Sequence, residues 1–258
     1  MSEVFSLHEV SYHYKAGTPA LNEVTLSIQE GERVALLGAN GSGKSTLLMV
    51  MAGLITPTSG EVTAFGEPLS ADYLTDEQRA QAFRRRVGIV FQSSDAQLFS
   101  PTVREEIAFG PLHLELPKDE VTRRITETLA LLGLEDLAER APYNLSGGEK
   151  KKVALASVLS MNPEVLMLDE PTSGLDPRTQ HWLIELLGRL HLAHKTLVMA
   201  THRLETLCEL ADRAVVLSED HRVVAVGPVD SILANRDLLL EVNLIHPHSP
   251  SHSLRAQP

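Results

Sequence analysis

The chain has 258 residues, 43% of them hydrophobic and 22% charged. Those are the proportions of a folded domain with room for a sizeable core, which excludes a disordered chain or a coiled-coil rod. Lys and Arg number 23 against 34 Asp and Glu, a formal charge of −11, and only 4% of residues are aromatic, so a nucleic-acid surface is not expected. Cys208 is the one cysteine, which excludes an internal disulfide, and there is no apolar run of about 18 residues to span a membrane.

Near the N-terminus, Val24, Leu26 and Ile28 alternate with Thr25 and Ser27, the two-residue period of a half-buried strand. After a turn at 30–32, residues 33–37 are apolar without alternation, as a strand buried on both faces requires. A glycine-rich stretch, 38–43, leads into a helix predicted over 44–52 and closed by Gly53. A strand follows over 61–65, then a helix over 72–86 and a strand over 87–91. Residues 93–145 carry helix signals and no strand. Thr102-Val103-Arg104-Glu105 reads as a capping box, and Pro117 precedes a helix that Gly133 ends. This stretch is predicted as a helical insert, about 93–160, within an α/β chain. Ser146-Gly147-Gly148-Glu149 is another capping box, opening a helix to about residue 161. A buried strand spans 165–168. Asp176 and Pro177 are the N-cap and first residue of a helix through 192. A strand over 196–200, a helix over 204–211 and a hairpin of 214–217 with 223–226 complete the pattern. Beyond Ile245 the chain is His, Pro and Ser, so 1–245 is expected to be one domain and 246–258 a flexible tail.

Gly38-Ala39-Asn40-Gly41-Ser42-Gly43-Lys44-Ser45 satisfies G-x-x-x-x-G-K-[ST] between a buried strand and a helix, the context that motif needs. Its glycines let successive N–H groups face phosphate oxygens, and the helix start adds the positive end of its dipole. In that chemistry Lys44 reaches the β- and γ-phosphates and Ser45 ligates Mg²⁺. The Mg²⁺-orienting acid is expected at the C-terminal end of a buried strand, where α/β folds bind ligands. Asp169 stands there. Glu170 comes next, placed to accept a proton from an attacking water. ATP and Mg²⁺ are thus the ligands implied. Ser146-Gly147-Gly148 is a second helix start with free N–H groups and no glycine side chains, although the tetrapeptide alone fits a plain capping box equally well.

The order along the chain resembles the nucleotide-binding domain of ATP-binding cassette (ABC) proteins, from about Val4 to Ile232. That resemblance implies a P-loop NTPase fold with a RecA-like core, an N-terminal antiparallel β-subdomain and a helical signature subdomain. Residues 38–45 match Walker A, with Thr46 following, and 165–169 match Walker B, with Glu170 as catalytic carboxylate. Gln92 matches the Q-loop glutamine that contacts Mg²⁺, and Leu145 to Glu149 match the LSGGQ signature, with Glu149 in place of Gln. Ser173-Gly174-Leu175-Asp176 match the D-loop and His202 the switch histidine. Tyr14 resembles the aromatic that stacks on adenine, with Tyr12 as the alternative. The family pairs two cassettes head to tail, so one motif set implies a homodimer in which the signature, Ser146, Gly147 and Gly148, closes on the partner's ATP, with Asp176 of the D-loop a further nucleotide-binding residue.

Residues 94–99, Thr102-Val103 and Ala108-Phe109-Gly110-Pro111 resemble the energy-coupling factor (ECF) ATPases. Residues 238–248 resemble the tail of the cobalt/nickel branch, the CbiO type. This implies a peripheral subunit on the cytoplasmic face of the membrane, bound to a transmembrane coupling protein and a separate substrate-capture membrane protein. The ECF vitamin importers, another ABC importer and a soluble, non-transport ABC ATPase are the alternatives. Imidazoles suit Co²⁺ or Ni²⁺, but a disordered tail rarely fixes the geometry of His246, His248 and His252. The runs Arg84–Arg86 and Lys150–Lys152 read as solvated faces, and Cys208 and Trp182 as packing.

Overall fold

The computed structural model describes residues 2–15 and 17–246; His248 and His252 lie outside them. Two sheets form among these residues. The first holds β1 (Glu3–His13), β2 (Pro19–Gln29), β4 (Ser59–Ala64) and β5 (Glu67–Pro68), paired antiparallel in the order β2-β1-β4-β5. The second runs β10-β9-β3-β8-β7-β6, with β3 (Arg33–Leu37), β6 (Val87–Val90), β7 (Val165–Asp169), β8 (Thr196–Thr201) and β9 (Arg213–Leu217) parallel. Only β10 (Val223–Pro228) is antiparallel, because the short turn after β9 reverses the chain.

The core strands are apolar on both faces because each face is covered. Val34, Leu36, Met167, Val198 and Val215 pack with the antiparallel sheet and with Leu47 and Leu48 of α1 (Lys44–Met51). Their neighbours Ala35, Leu37, Leu168, Met199 and Val216 point the other way, into a cluster built with the later helices. Those helices are α4 (Val103–His113), α5 (Lys118–Leu132), α6 (Gly147–Leu159), α7 (Pro177–Leu192), α8 (Leu207–Leu210), α9 (Val229–Ala234) and α10 (Arg236–Glu241).

Three local expectations change. The helix expected over 72–86 is two, α2 (Ala71–Thr75) and α3 (Glu77–Arg86). Asp76 is extended and its carboxylate accepts from the Arg79 N–H, so it restarts the helix as an N-cap. The helix expected over 204–211 shrinks to α8: residues 205–206 form a turn in which the Leu207 N–H donates to the Leu204 carbonyl, and the helix begins only at Leu207. At α4 only half of the capping box forms. Thr102 caps the Glu105 N–H, but the Glu105 carboxylate takes the Thr102 hydroxyl rather than its backbone. From 91 to 164 the described residues contain helices and turns but no strand, as the helical insert requires.

Candidate functional site

The phosphate loop leaves the C-terminal end of β3 and enters α1 at the centre of the parallel sheet. Gly43 is the N-cap with φ 102°, and no side chain caps the helix. A Cβ at Gly43 would collide with the Ala20 carbonyl, so only glycine allows this close approach. Lys44 is buried and donates to the Gly38 and Ala39 carbonyls at 2.8 and 2.9 Å. Burial lowers its pKa, against the opposing pull of Glu170 and Asp169.

Asp169 ends β7 in the same layer, two strands from β3 across β8. It is 7% exposed, and its Oδ1 is buried with no hydrogen-bond partner, as is Ser42 Oγ. Burial raises its pKa, opposed first by the hydrogen bond from Ser45. Glu170 has φ 44°, a strained conformation of the kind that clusters at functional sites. Its Oε1 meets His202 Nδ1 at 2.7 Å and accepts the His202 backbone N–H at 3.1 Å, and its Oε2 accepts the Thr201 hydroxyl at 3.3 Å. The parallel register of β7 and β8 brings Glu170 and His202 side by side.

A cleft of about 450 Å³ collects these groups. Its walls include Tyr14, Asn40, Gly41, Gly43, Lys44, Ser45, Thr46, Gln92, Asp169 and Glu170. Tyr14 lines the cleft and Tyr12 does not. The Tyr14 hydroxyl is 3.1 Å from Thr46 Oγ1, and Tyr12 buttresses its ring edge-on at 5.0 Å. The unpartnered oxygens, the uncapped helix start and the oxygen donors Ser45, Gln92 and Asp169 fit a polyphosphate with a hard divalent cation. A smaller crevice lies at the opposite, N-terminal ends of the core strands. Its two cationic side chains are engaged, Arg86 by Glu164 and Lys195 by Asn162.

Ser146, Gly147, Gly148 and Asp176 are not brought into this cleft. Ser146 and Glu149 form a complete capping box at α6, which lowers the Glu149 pKa through its bonds from Ser146. The Asp176 carboxylate accepts the Arg178 and Thr179 N–H groups and the Thr179 hydroxyl, capping α7 and lowering its own pKa. A Cβ at Gly148 would lie 3.4 Å from Thr179 Oγ1, so signature and D-loop share one edge.

Lys151 corrects the reading of its run as solvated. It is 4% exposed, and its ammonium donates to the Phe91 and Gln92 carbonyls at 3.1 and 3.5 Å. Burial pushes its pKa down to about 8, against the pull of Asp169 and Glu170. Lys150 bridges to Asp95 at 2.6 Å, and the Lys152 ammonium lies over the Trp182 ring. Arg86 leaves its run too, stacking over Phe65. Beyond the Gln92 segment, Phe99, Phe109 and Leu112 stand half or more exposed, Phe99 edge-on to Phe109 at 4.8 Å. His221 also lines the cleft, which the sequence did not signal.

The chain as a whole is similar to known proteins. The ABC transporter family model covers residues 21–173. The chain is 49% identical to the nickel import ATP-binding protein NikO of Rhodobacter capsulatus, over 95% of this chain and 97% of that protein. It is 43% identical to the energy-coupling factor transporter ATP-binding protein EcfA of Methanothermobacter thermautotrophicus, over 95% of this chain and 78% of that one. The solved structure of CbiO1 from Clostridium perfringens, described as part of the ABC transporter complex CbiONQ, superposes with a TM-score of 0.80 at 35% identity, covering 96% and 97% of the two chains. The chain belongs to the ABC transporter family, and its fold is that of the family's ATP-binding subunits.

Proposed function

We infer that this chain is the ATP-hydrolysing subunit of an ECF-type importer that takes up cobalt or nickel ions, acting as a head-to-tail homodimer beneath membrane partners. The observation that carries the reading is the Glu170–His202 pair, fixed beside the phosphate loop at the strand ends. Glu170 accepts the proton of a water attacking the γ-phosphorus, and His202, 2.7 Å away, orients that carboxylate. Lys44 and the amides of residues 38–46 hold the phosphates, and Tyr14 offers its ring to adenine. Ser45, Gln92 and Asp169 would hold Mg²⁺, which would supply positive charge to offset that of the phosphates. The partner's Ser146, Gly147, Gly148 and Asp176 complete each site in this reading. The names of NikO, EcfA and CbiO1 support the metal-importing ECF class.

Phe99, Phe109 and Leu112 form an exposed apolar patch of the kind that marks a protein contact, and the coupling protein is its proposed occupant. No described helix is long and apolar enough to cross a membrane, so such partners would hold the subunit at the cytoplasmic face. The proposed domain comprises residues 1–245, with 246–258 as its tail. The test is to purify the subunit from native membranes, reconstitute the copurified integral proteins in vesicles and measure ATP-driven uptake. Uptake of Co²⁺ or Ni²⁺ that Glu170→Gln abolishes is expected. ATP-driven uptake of a vitamin instead would overturn the metal assignment, and absence of any integral partner would overturn the transport reading.

A further inference from the structure

The turn between β9 and β10 carries two local costs at one residue. His221 has φ 63°, a left-handed conformation that glycine adopts freely and a side chain adopts at some cost. Its Nδ1 is buried without a hydrogen-bond partner, a situation native structures avoid. Neither cost is needed to make the turn. The Ser218 N–H donates to the Arg222 carbonyl and the His221 N–H to the Ser218 carbonyl, bonds that glycine would make equally well.

The turn is held beside the phosphate loop. The Asn22 N–H donates to the His221 carbonyl at 2.9 Å, and the Arg222 guanidinium reaches Asn22 Oδ1 at 3.0 Å and Glu23 Oε2 at 2.7 Å. Asn22 lies two residues beyond Ala20, whose carbonyl packs on Gly43. At the end of β9, the Leu217 carbonyl abuts Gly38: a Cβ there would come within 2.7 Å of it. The cleft therefore includes His221 together with Ala20, Asn40 and Gly41. His221 thus lines the cleft beside the phosphate loop, and its buried Nδ1 has no hydrogen-bond partner within the described residues.

We propose that His221 is a further nucleotide-contacting residue, its imidazole hydrogen-bonding the nucleoside triphosphate held in the phosphate-loop cleft. The proposal rests on the cleft being the nucleotide site. Strain kept at a turn that glycine could make without cost is then explained by the ligand rather than by the fold.

The test measures the dissociation constants of ADP and a non-hydrolysable ATP analogue, with Mg²⁺, by calorimetry on the whole chain. His221→Gly removes the imidazole and relieves the backbone, so the thermal midpoint without nucleotide is expected to stay or rise. Nucleotide affinity is expected to fall about three- to tenfold, the loss of one hydrogen bond. His221→Asn tolerates the same backbone and keeps a hydrogen-bonding side chain, and is expected to fall between the two. Wild-type affinity in His221→Gly overturns the proposal. Lys44→Ala, measured alongside, separates the two readings. If it loses affinity while His221→Gly does not, only the histidine contact fails. If neither loses affinity, the cleft is not the nucleotide site.

Discussion

The two glycine-flanked helix starts, α1 and α6, are built in opposite ways. The start of α1 has no capping side chain and no acid in its first turn, and it opens into a cleft with a buried lysine and two buried acids. The start of α6 is closed by its own Ser146–Glu149 box, carries an acid in its first turn, and has open space around Gly147. The α6 box satisfies the Ser146 and Glu149 N–H groups and not those of Gly147 and Gly148, whereas α1 has no side-chain cap at all. α1 can thus hold phosphate with groups of its own chain. α6 is stable without a ligand and is suited to be brought against one by another body.

The comparison breaks hardest at the acids of the cleft. Glu170→Gln is expected to keep ATP binding and lower turnover about 10²–10⁴-fold through loss of a general base, as steady-state phosphate release would show. Lys44→Ala should weaken ATP binding about tenfold to a hundredfold, the worth of a charge-assisted contact, in an equilibrium titration. Mixing Lys44→Ala with Ser146→Arg, each inactive alone, tests whether the two starts serve different chains. Subunit exchange generates one intact phosphate loop facing one intact signature, so activity should return on mixing. If both starts acted within one chain, mixing would restore nothing. Lys151→Met removes the donor that the Phe91 and Gln92 carbonyls rely on, so the thermal midpoint is expected to fall, and the Mg²⁺ concentration for half-maximal turnover to climb about threefold. The smallest effect belongs to Glu149→Gln, which preserves the capping box and should leave turnover within about twofold of the parent.

The phosphate loop, Asp169 and Glu170 were legible because each motif is contiguous and its flanking strand or helix lies in the same stretch of sequence. Tyr14 was preferred over Tyr12, and the cleft is lined by Tyr14. Lys151 was misread because a run of three lysines hides which one turns inward. Helical spacing held the missing signal: Lys151 lies on one stripe with Ala154, Leu155 and Val158, all buried. His221 had no such signal. Its place depends on the β9–β10 turn folding against β2, about two hundred residues earlier in the chain.

The lysines of α6 fasten the Gln92 segment with two straps of different material. Lys150–Asp95 is a surface ion pair, with Asp95 74% exposed, whereas Lys151 grips backbone carbonyls from a buried position. Dissolved ions screen the first and scarcely reach the second. Rising ionic strength will therefore unfasten the outer strap while the inner one holds. The turn around Asp95 gains play, while Gln92 keeps its station and Phe99 stays tied through its N–H to the buried Glu106 carboxylate. Hydrogen exchange at low and high salt would then find the change at residues 94–98, with the Phe99 and Ser100 amides, bound to buried Glu106, quiet at both.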